Sequence, residues 1–285
     1  MPVSVGPTVR RRRLGSELRR LRESQSIKLE EVAERLGLAP STLSRIETGK
    51  APTRTAYLNS MFELYGVDDP GQRQVLLEMA REGHRKGWWS VYDAVLPSGF
   101  DIYVGLEAEA SGLRSYETVV HGLLQTTDYA TAMLRELGPK ETADQIARAV
   151  DLRMQRQLRL DQDPPLELWL ILDEAAIRRN VGGSAVMRPQ LEHLLRASQR
   201  SNVILQILGF EAGVHAGLVG PFSILEFPER GDSDVVYTDS VGGIIYLEKD
   251  RDVRACAEAF DRMRASALSP AASVELIQKV LGELT

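Results

Sequence analysis

The chain has a single cysteine, Cys256, in 285 residues. An internal disulfide is therefore impossible, a disulfide-stapled secreted scaffold is excluded, and a reducing, cytoplasmic setting is expected. No apolar run reaches the roughly 18 residues that a membrane span needs. No hydrophobic segment follows the basic opening MPVSVGPTVRRRR, so a secretory signal is not expected. The four histidines, His84, His121, His193 and His215, are scattered, and no Cys or His sits at metal-ligand spacing, so neither a metal nor another cofactor is expected. There is no fixed-period repeat, no low-complexity tract and no heptad seam. Gly182-Gly183-Ser184 matches neither the Walker nor the dinucleotide-binding pattern and reads as a turn after a helix.

What is present is uneven. The net charge is −5, yet residues 1–55 hold ten Arg and two Lys against six Glu, a net +6, which leaves −11 for the other 230 residues. A basic head on an acidic body suits a polyanionic partner for the head alone. The length allows two domains. Leu14, Leu18 and Leu21 begin a series of helical stripes continued by Leu29, Val32, Ala33 and Leu36, then Leu43 and Ile46, then Leu58, Met61, Phe62 and Tyr65. Gly37, Gly49 and Gly66 punctuate the ends, Thr53 is placed to cap the fourth helix, and a fifth is expected over 70–85. Residues 10–86 are thus expected to form an all-α domain. The stretch GHRKGWWSVYDAVLPSG then breaks the periodicity, and 87–285 is expected to form a mixed α/β domain. Its strands are expected at 166–172, 202–208, 222–227, 234–239 and 244–248, the first two joined through a helix near 187–198 and the later ones as antiparallel hairpins. Further helices are expected after Thr126 or Thr127, over 141–160, and over 251–267 and 270–284.

Within the first domain, LAPSTLSRIETGKAPT (38–53) is the most informative stretch. A helix over 29–36, the turn Gly37-Leu38-Ala39 and a helix opening at Pro40 give a helix-turn-helix, in which the second helix enters the DNA major groove and offers its N-terminal residues to base edges. Small side chains at Ser41, Thr42 and Ser44 permit close approach. Arg45 can reach a guanine edge or a phosphate, while Leu43 and Ile46 face inward.

The run EEVAERLGLAPSTLSRIETGK resembles the Xre/Cro, phage-repressor-type helix-turn-helix family over residues 14–66. That resemblance implies base reading by Ser41 and Arg45, and backbone-phosphate contacts from Thr42, Thr48, Lys50 and Arg54; Lys28 and Ser44 are expected to contact the backbone as well. It also implies a buried structural ion pair between Arg22 and Glu47. The sequence departs from the family where Ser26 stands for the usual turn glycine and where Lys28 and Ala39 stand for hydroxyl caps. Pro40 at the first helical position partly offsets the second loss. Arg10–Arg13 reads either as an arm reaching along the DNA or as a solvated tail.

The second domain, on GLLQTTDYATAML (122–134), LRMQRQLRL (152–160), LDEAAIRRNVGG (172–183), MRPQLEHLL (187–195) and GVHAGLVGPFSILEF (213–227), resembles the effector domain of WhiJ-like actinobacterial regulators. The resemblance implies a transcription regulator, antitoxin-like, encoded beside a very small partner protein. From the residues alone, Asp173-Glu174 is read as a helix start rather than a catalytic pair. Cys256 is read as core, Arg153, Arg156 and Arg159 as a solvated face, and the loop Val214–Gly217 as a hairpin connection rather than the lip of a pocket. No catalytic constellation is found. Expected partners are double-stranded DNA, a second copy of the chain and a small protein, with no membrane. The other reading is a sensor binding a small molecule in the second domain, against strand residues of 202–227.

Overall fold

A computed structural model of the chain describes residues 7–83, 87–138, 141–228 and 233–284. Two compact units emerge: the described residues up to Val91 together with Asp101–Glu109, and Tyr92–Phe100 with the described residues from Ala110 onward.

The first unit holds five consecutive helices, α1 (Pro7–Ser24), α2 (Leu29–Arg35), α3 (Pro40–Glu47), α4 (Thr55–Tyr65) and α5 (Pro70–Gly83), followed by most of α6 (Phe100–Glu109). Leu14, Leu18, Val32, Leu43, Leu58, Phe62 and Leu76, one or two from each of the five, meet in a single buried core. Gly37, Gly49 and Gly66 carry φ between 64° and 68°, the left-handed conformation that ends a helix cheaply only at glycine. Two expectations are corrected. Thr53 does not cap α4: Arg54 holds the cap position without a side-chain bond, and Thr53, one residue too early, is buried. Arg10–Arg13 is neither an arm nor a tail, because α1 begins at Pro7 and carries the four arginines in its early turns. Val9 is buried there and its N–H donates to Glu109, while Arg10 pairs with Glu82, which holds the segment helical.

The second unit is built on a six-stranded sheet of order β3-β2-β1-β4-β5-β6. Its strands are β1 (Gly112–Glu117), β2 (Glu167–Asp173), β3 (Val203–Leu208), β4 (Phe222–Glu226), β5 (Val235–Ser240) and β6 (Gly243–Leu247). β1, β2 and β3 run parallel; β4 pairs antiparallel with β1, and β4–β5–β6 form an antiparallel meander. Helices α7 (Thr127–Leu137) and α8 (Ala143–Gln157) lie between β1 and β2 in the chain. α9 (Glu174–Arg178) and α10 (Ser184–Ala197) form the β2–β3 crossover, and α11 (Asp250–Ser266) and α12 (Pro270–Glu283) close the chain. Thr126, Thr142 and Ser269 each accept a backbone N–H at the start of a helix, and Thr142 with Gln145 completes a capping box.

The five expected strands are present, but the sheet has a sixth, β1, at its centre. GLRSYE lacks the apolar run expected of a strand flanked on both sides. Its polar side chains find partners across the sheet or within the strand instead: Ser115 Oγ lies 2.8 Å from Ser223 Oγ and 2.7 Å from the Glu117 carboxylate, and Arg114 pairs with Glu226 at 2.8 Å. Leu113 and Tyr116 supply the buried contacts. The outer edge of β3 is met by the α11–α12 connection, through Leu268 N–H to the Ile207 carbonyl, and by the first turn of α12, through Ile207 N–H to Ser273 Oγ, both at 2.9 Å.

Candidate nucleic-acid interface

Helix α3 has two faces. Leu43 and Ile46, three residues apart, are buried against the core, so the opposite side must project outward. There Ser41, Thr42 and Arg45 are exposed and Ser44 is half-buried. The helix is eight residues long, begins with Pro40 at its first position and has no side-chain cap from Ala39. A short helix whose first turn shows only hydroxyls can lie deep in a groove, and Arg45 at its far end carries the one long donor.

The other end of α3 is gripped by α1. Arg22 Nε and Nη2 donate to the two carboxylate oxygens of Glu47 at 2.7 and 2.9 Å, and Nη1 donates to the Ile27 carbonyl at 2.9 Å. Arg22 is 8% and Glu47 6% exposed. The paired carboxylate raises the Arg22 pKa, and burial raises that of neighbouring Tyr65. Such a fork ties α1, the α1–α2 turn and the C-terminus of α3 together. Losing one partner strands a buried charge, at a cost of about 3–5 kcal/mol. Beside it, Gly15 lets α1 touch α3: a Cβ there would stand 2.6 Å from the Glu47 carbonyl oxygen and against that of Ile46. A Cβ on Gly49 would likewise strike Arg12 at 2.7 Å. The hydrophobic stripes carry no signal for Gly15, because a glycine in mid-helix differs from alanine only in what approaches it.

Charge sorts the surface. Arg19, Arg20 and Arg35 are spent on Glu23, Glu17 and Glu31 one turn away on their own helices. Lys28, Arg45, Lys50 and Arg54 are exposed, and among the described residues no carboxylate pairs with them. Lys28 and Arg54 precede α2 and α4, neither of which has a side-chain cap, and Lys50 follows α3. Thr48 differs from the other expected contact residues. It is the C-cap of α3, half-buried, and its hydroxyl donates to the Ser44 carbonyl at 2.8 Å. That proton is not available to a phosphate unless the cap opens.

In the second unit, Arg153, Arg156 and Arg159 are not a solvated face. Arg156 is 6% exposed and sits 5.1 Å over the Phe100 ring. Arg153 donates to Gln125 at 2.6 Å, and Arg159, beyond the end of α8, donates to the carbonyls of Pro164 and Ala110. The stripe turns inward because Gln125 before α7, Ala110 before β1 and Pro164 before β2 supply acceptors. Asp173 caps α9 and accepts from Tyr116, and Glu174 accepts the Phe210 N–H and pairs with Arg178. Burial raises the Cys256 thiol, which disfavours the reactive thiolate. Among the described residues, no group of three or more His, Cys, Asp or Glu is arranged to hold a metal ion, and no helix is long and apolar enough to cross a membrane. A cavity of about 330 Å³ lies between α7, α8 and the segment before α6. None of residues 202–227 lines it; Val203, Ile204 and Leu205 of β3 line a second cavity of about 230 Å³ against Pro270, Ala271 and Val274 of α12.

Two known families match parts of the chain. Residues 13–76 match a family described as a helix-turn-helix domain, and residues 100–279 match one described as a domain of unknown function, DUF5753. Curated proteins and solved structures gave no significant match. The helix-turn-helix match points to a DNA-binding regulator.

Proposed function

We propose, for a chain that belongs to the DUF5753 family and carries a helix-turn-helix head, that it is a sequence-specific DNA-binding transcription regulator acting in the cytoplasm. Residues 10–86 bind DNA and 87–285 regulate. Ser41 and Arg45 read base edges. Thr42, Ser44, Lys28, Lys50 and Arg54 set the register on phosphates, and Thr48 serves the helix end. The observation that carries this reading is the coincidence of two patterns in the first unit: the outward hydroxyls and Arg45 of α3, and three further exposed cations, Lys28, Lys50 and Arg54, that have no carboxylate partner among the described residues. One short helix reads too few bases for useful specificity, so the active species is a homodimer on two half-sites about 34 Å apart.

For regulation, the resemblance to WhiJ-like, antitoxin-like regulators favours a small protein partner docking on the second domain. The apolar residues exposed between β3 and β4, Phe210, Val214, Leu218 and Val219, supply a surface of the right character. A second reading, small-molecule sensing, is favoured by the cavity beside α8. Nothing in either account requires catalysis.

The test is a salt-dependent anisotropy titration on a bound duplex and its single-base variants. Arg45→Ala is expected to cost about 1–3 kcal/mol and to relax preference at one position. Lys50→Ala is expected to weaken all variants alike and reduce the salt slope by about one. If Arg45→Ala discriminates among the variants as the parent does, the base-reading assignment is wrong. Repeating the titration with the neighbouring small protein asks whether affinity follows the partner.

A further inference from the structure

Glycine inside a helix weakens it, because it has the most backbone freedom to lose, so a mid-helix glycine calls for a reason. Gly15 lies in the middle of α1, directly after Leu14 in the buried stripe Leu14, Leu18 and Leu21. A Cβ there would stand against the Ile46 carbonyl oxygen and 2.6 Å from that of Glu47, so the hydrogen in its place faces the C-terminal carbonyls of α3. The approach is reciprocal. A Cβ on Gly49, just past α3, would lie 2.7 Å from both the Cα and the backbone N of Arg12, about one turn before Gly15 on α1. Further along α1, the Arg22 fork holds the Glu47 side chain at the same end of α3. Burial of Leu43 and Ile46 is non-directional and tolerates sliding, whereas backbone against backbone fixes a distance.

We propose that Gly15 and Gly49 are positioning residues for base reading: their missing side chains set how closely α3 sits on α1, and so where Ser41 and Arg45 stand against the bases. The inference rests on the DNA-reading function given above and extends it to two residues that touch no DNA. A methyl group on Gly15 must drive the Glu47 carbonyl back by roughly 1 Å before ordinary van der Waals contact returns. Arg45 stands one residue before Ile46, so the reading side chain moves with that end of the helix. A binding constellation works only when held within about 0.5 Å. Phosphate contacts are less demanding, because charge acts over a longer range and carries no sequence information. The displacement therefore separates two quantities: preference among sequences falls, and sequence-independent binding stays.

The test uses the full chain and a duplex that the parent selects from a random pool, with its single-base variants and a scrambled duplex, in anisotropy titrations at several salt concentrations. Gly15→Ala and Gly49→Ala are each expected to reduce the preference for the selected duplex over its variants at least about fivefold, the low end of one bidentate base contact. The salt slope on the scrambled duplex should stay that of the parent, because no cation is lost. Unfolded molecules lower the affinity for every duplex alike, so the ratio reports displacement and not stability. Gly66→Ala is the control: its φ of 67° matches the 68° of Gly49 in strain, yet a Cβ there meets nothing within 4 Å. It should keep the parent's preference. If Gly15→Ala does not fold, Gly49→Ala against Gly66→Ala decides. Parent-like preference in the folded variants, or an equal loss of preference in Gly66→Ala, overturns the proposal and leaves the base reading standing. A parent that prefers no sequence overturns the base reading and this inference with it.

Discussion

Ser26 is the one described non-glycine residue with a positive φ, 58°, in the turn between α1 and α2. A left-handed L-residue costs about 1–2 kcal/mol, and glycine relieves it. Ser26→Gly is therefore expected to raise the denaturant midpoint of the first domain by an amount worth about 1 kcal/mol; no gain would mean that the serine side chain compensates locally. Glu117 poses the opposite problem. Burial raises its pKa to about 7, with Asp239 adding to the rise and Ser115 and Arg156 opposing it. The folded chain thus holds this proton more tightly than the unfolded chain does. Its stabilising contribution is complete below the unfolded carboxyl value near pH 4 and is lost as pH rises through about 7. Stability of the second domain is expected to fall between pH 5 and 8 by roughly 1–3 kcal/mol, and Glu117→Gln should flatten that slope. An equal slope in the variant would place the titration elsewhere.

At the scale of elements, α1 is more than a spacer before the reading pair. It brings Arg22 to Glu47 and, through Gly15, packs directly on the C-terminal carbonyls of α3. Helix propensity alone predicts that Gly15→Ala stabilises by about 1 kcal/mol. The contact predicts the reverse, a loss of about 1–3 kcal/mol from overpacking. Equilibrium unfolding therefore decides by sign. These same elements mark what a single sequence reveals. The inward and outward faces of α3 are legible because Leu43 and Ile46 fix its rotation, and the later strands because their apolar runs are bounded by turns. β1 is illegible because Arg114 and Ser115 find partners across the sheet, on β4, which no local pattern announces. The inward turn of Arg153, Arg156 and Arg159 is hidden because Gln125, Phe100 and Ala110, which they meet, are distant in sequence. The helical start of α1 escapes notice because a run of four arginines resembles a tail until Val9 and Glu82 are seen to hold it.

On the scale of the whole molecule, the charge asymmetry takes on a meaning. The net positive segment contains the outward face of α3 and the exposed cations near it, and the acidic remainder carries a sheet, a cavity beside α8 and an exposed apolar loop. On the function proposed above, attraction to DNA belongs to the head, and the acidic remainder does not add to it. The division of labour requires that α3 read sequence, and everything said of regulation depends on that. Selection of bound duplexes from a random pool, by the parent and by Arg45→Ala, tests it most directly. The parent is expected to enrich a motif with two-fold symmetry and half-site centres about 10 base pairs apart, and Arg45→Ala to lose preference at one position in each half. A parent pool no more biased than the input, or an unchanged motif from Arg45→Ala, would contradict the assignment of α3 as the reading helix.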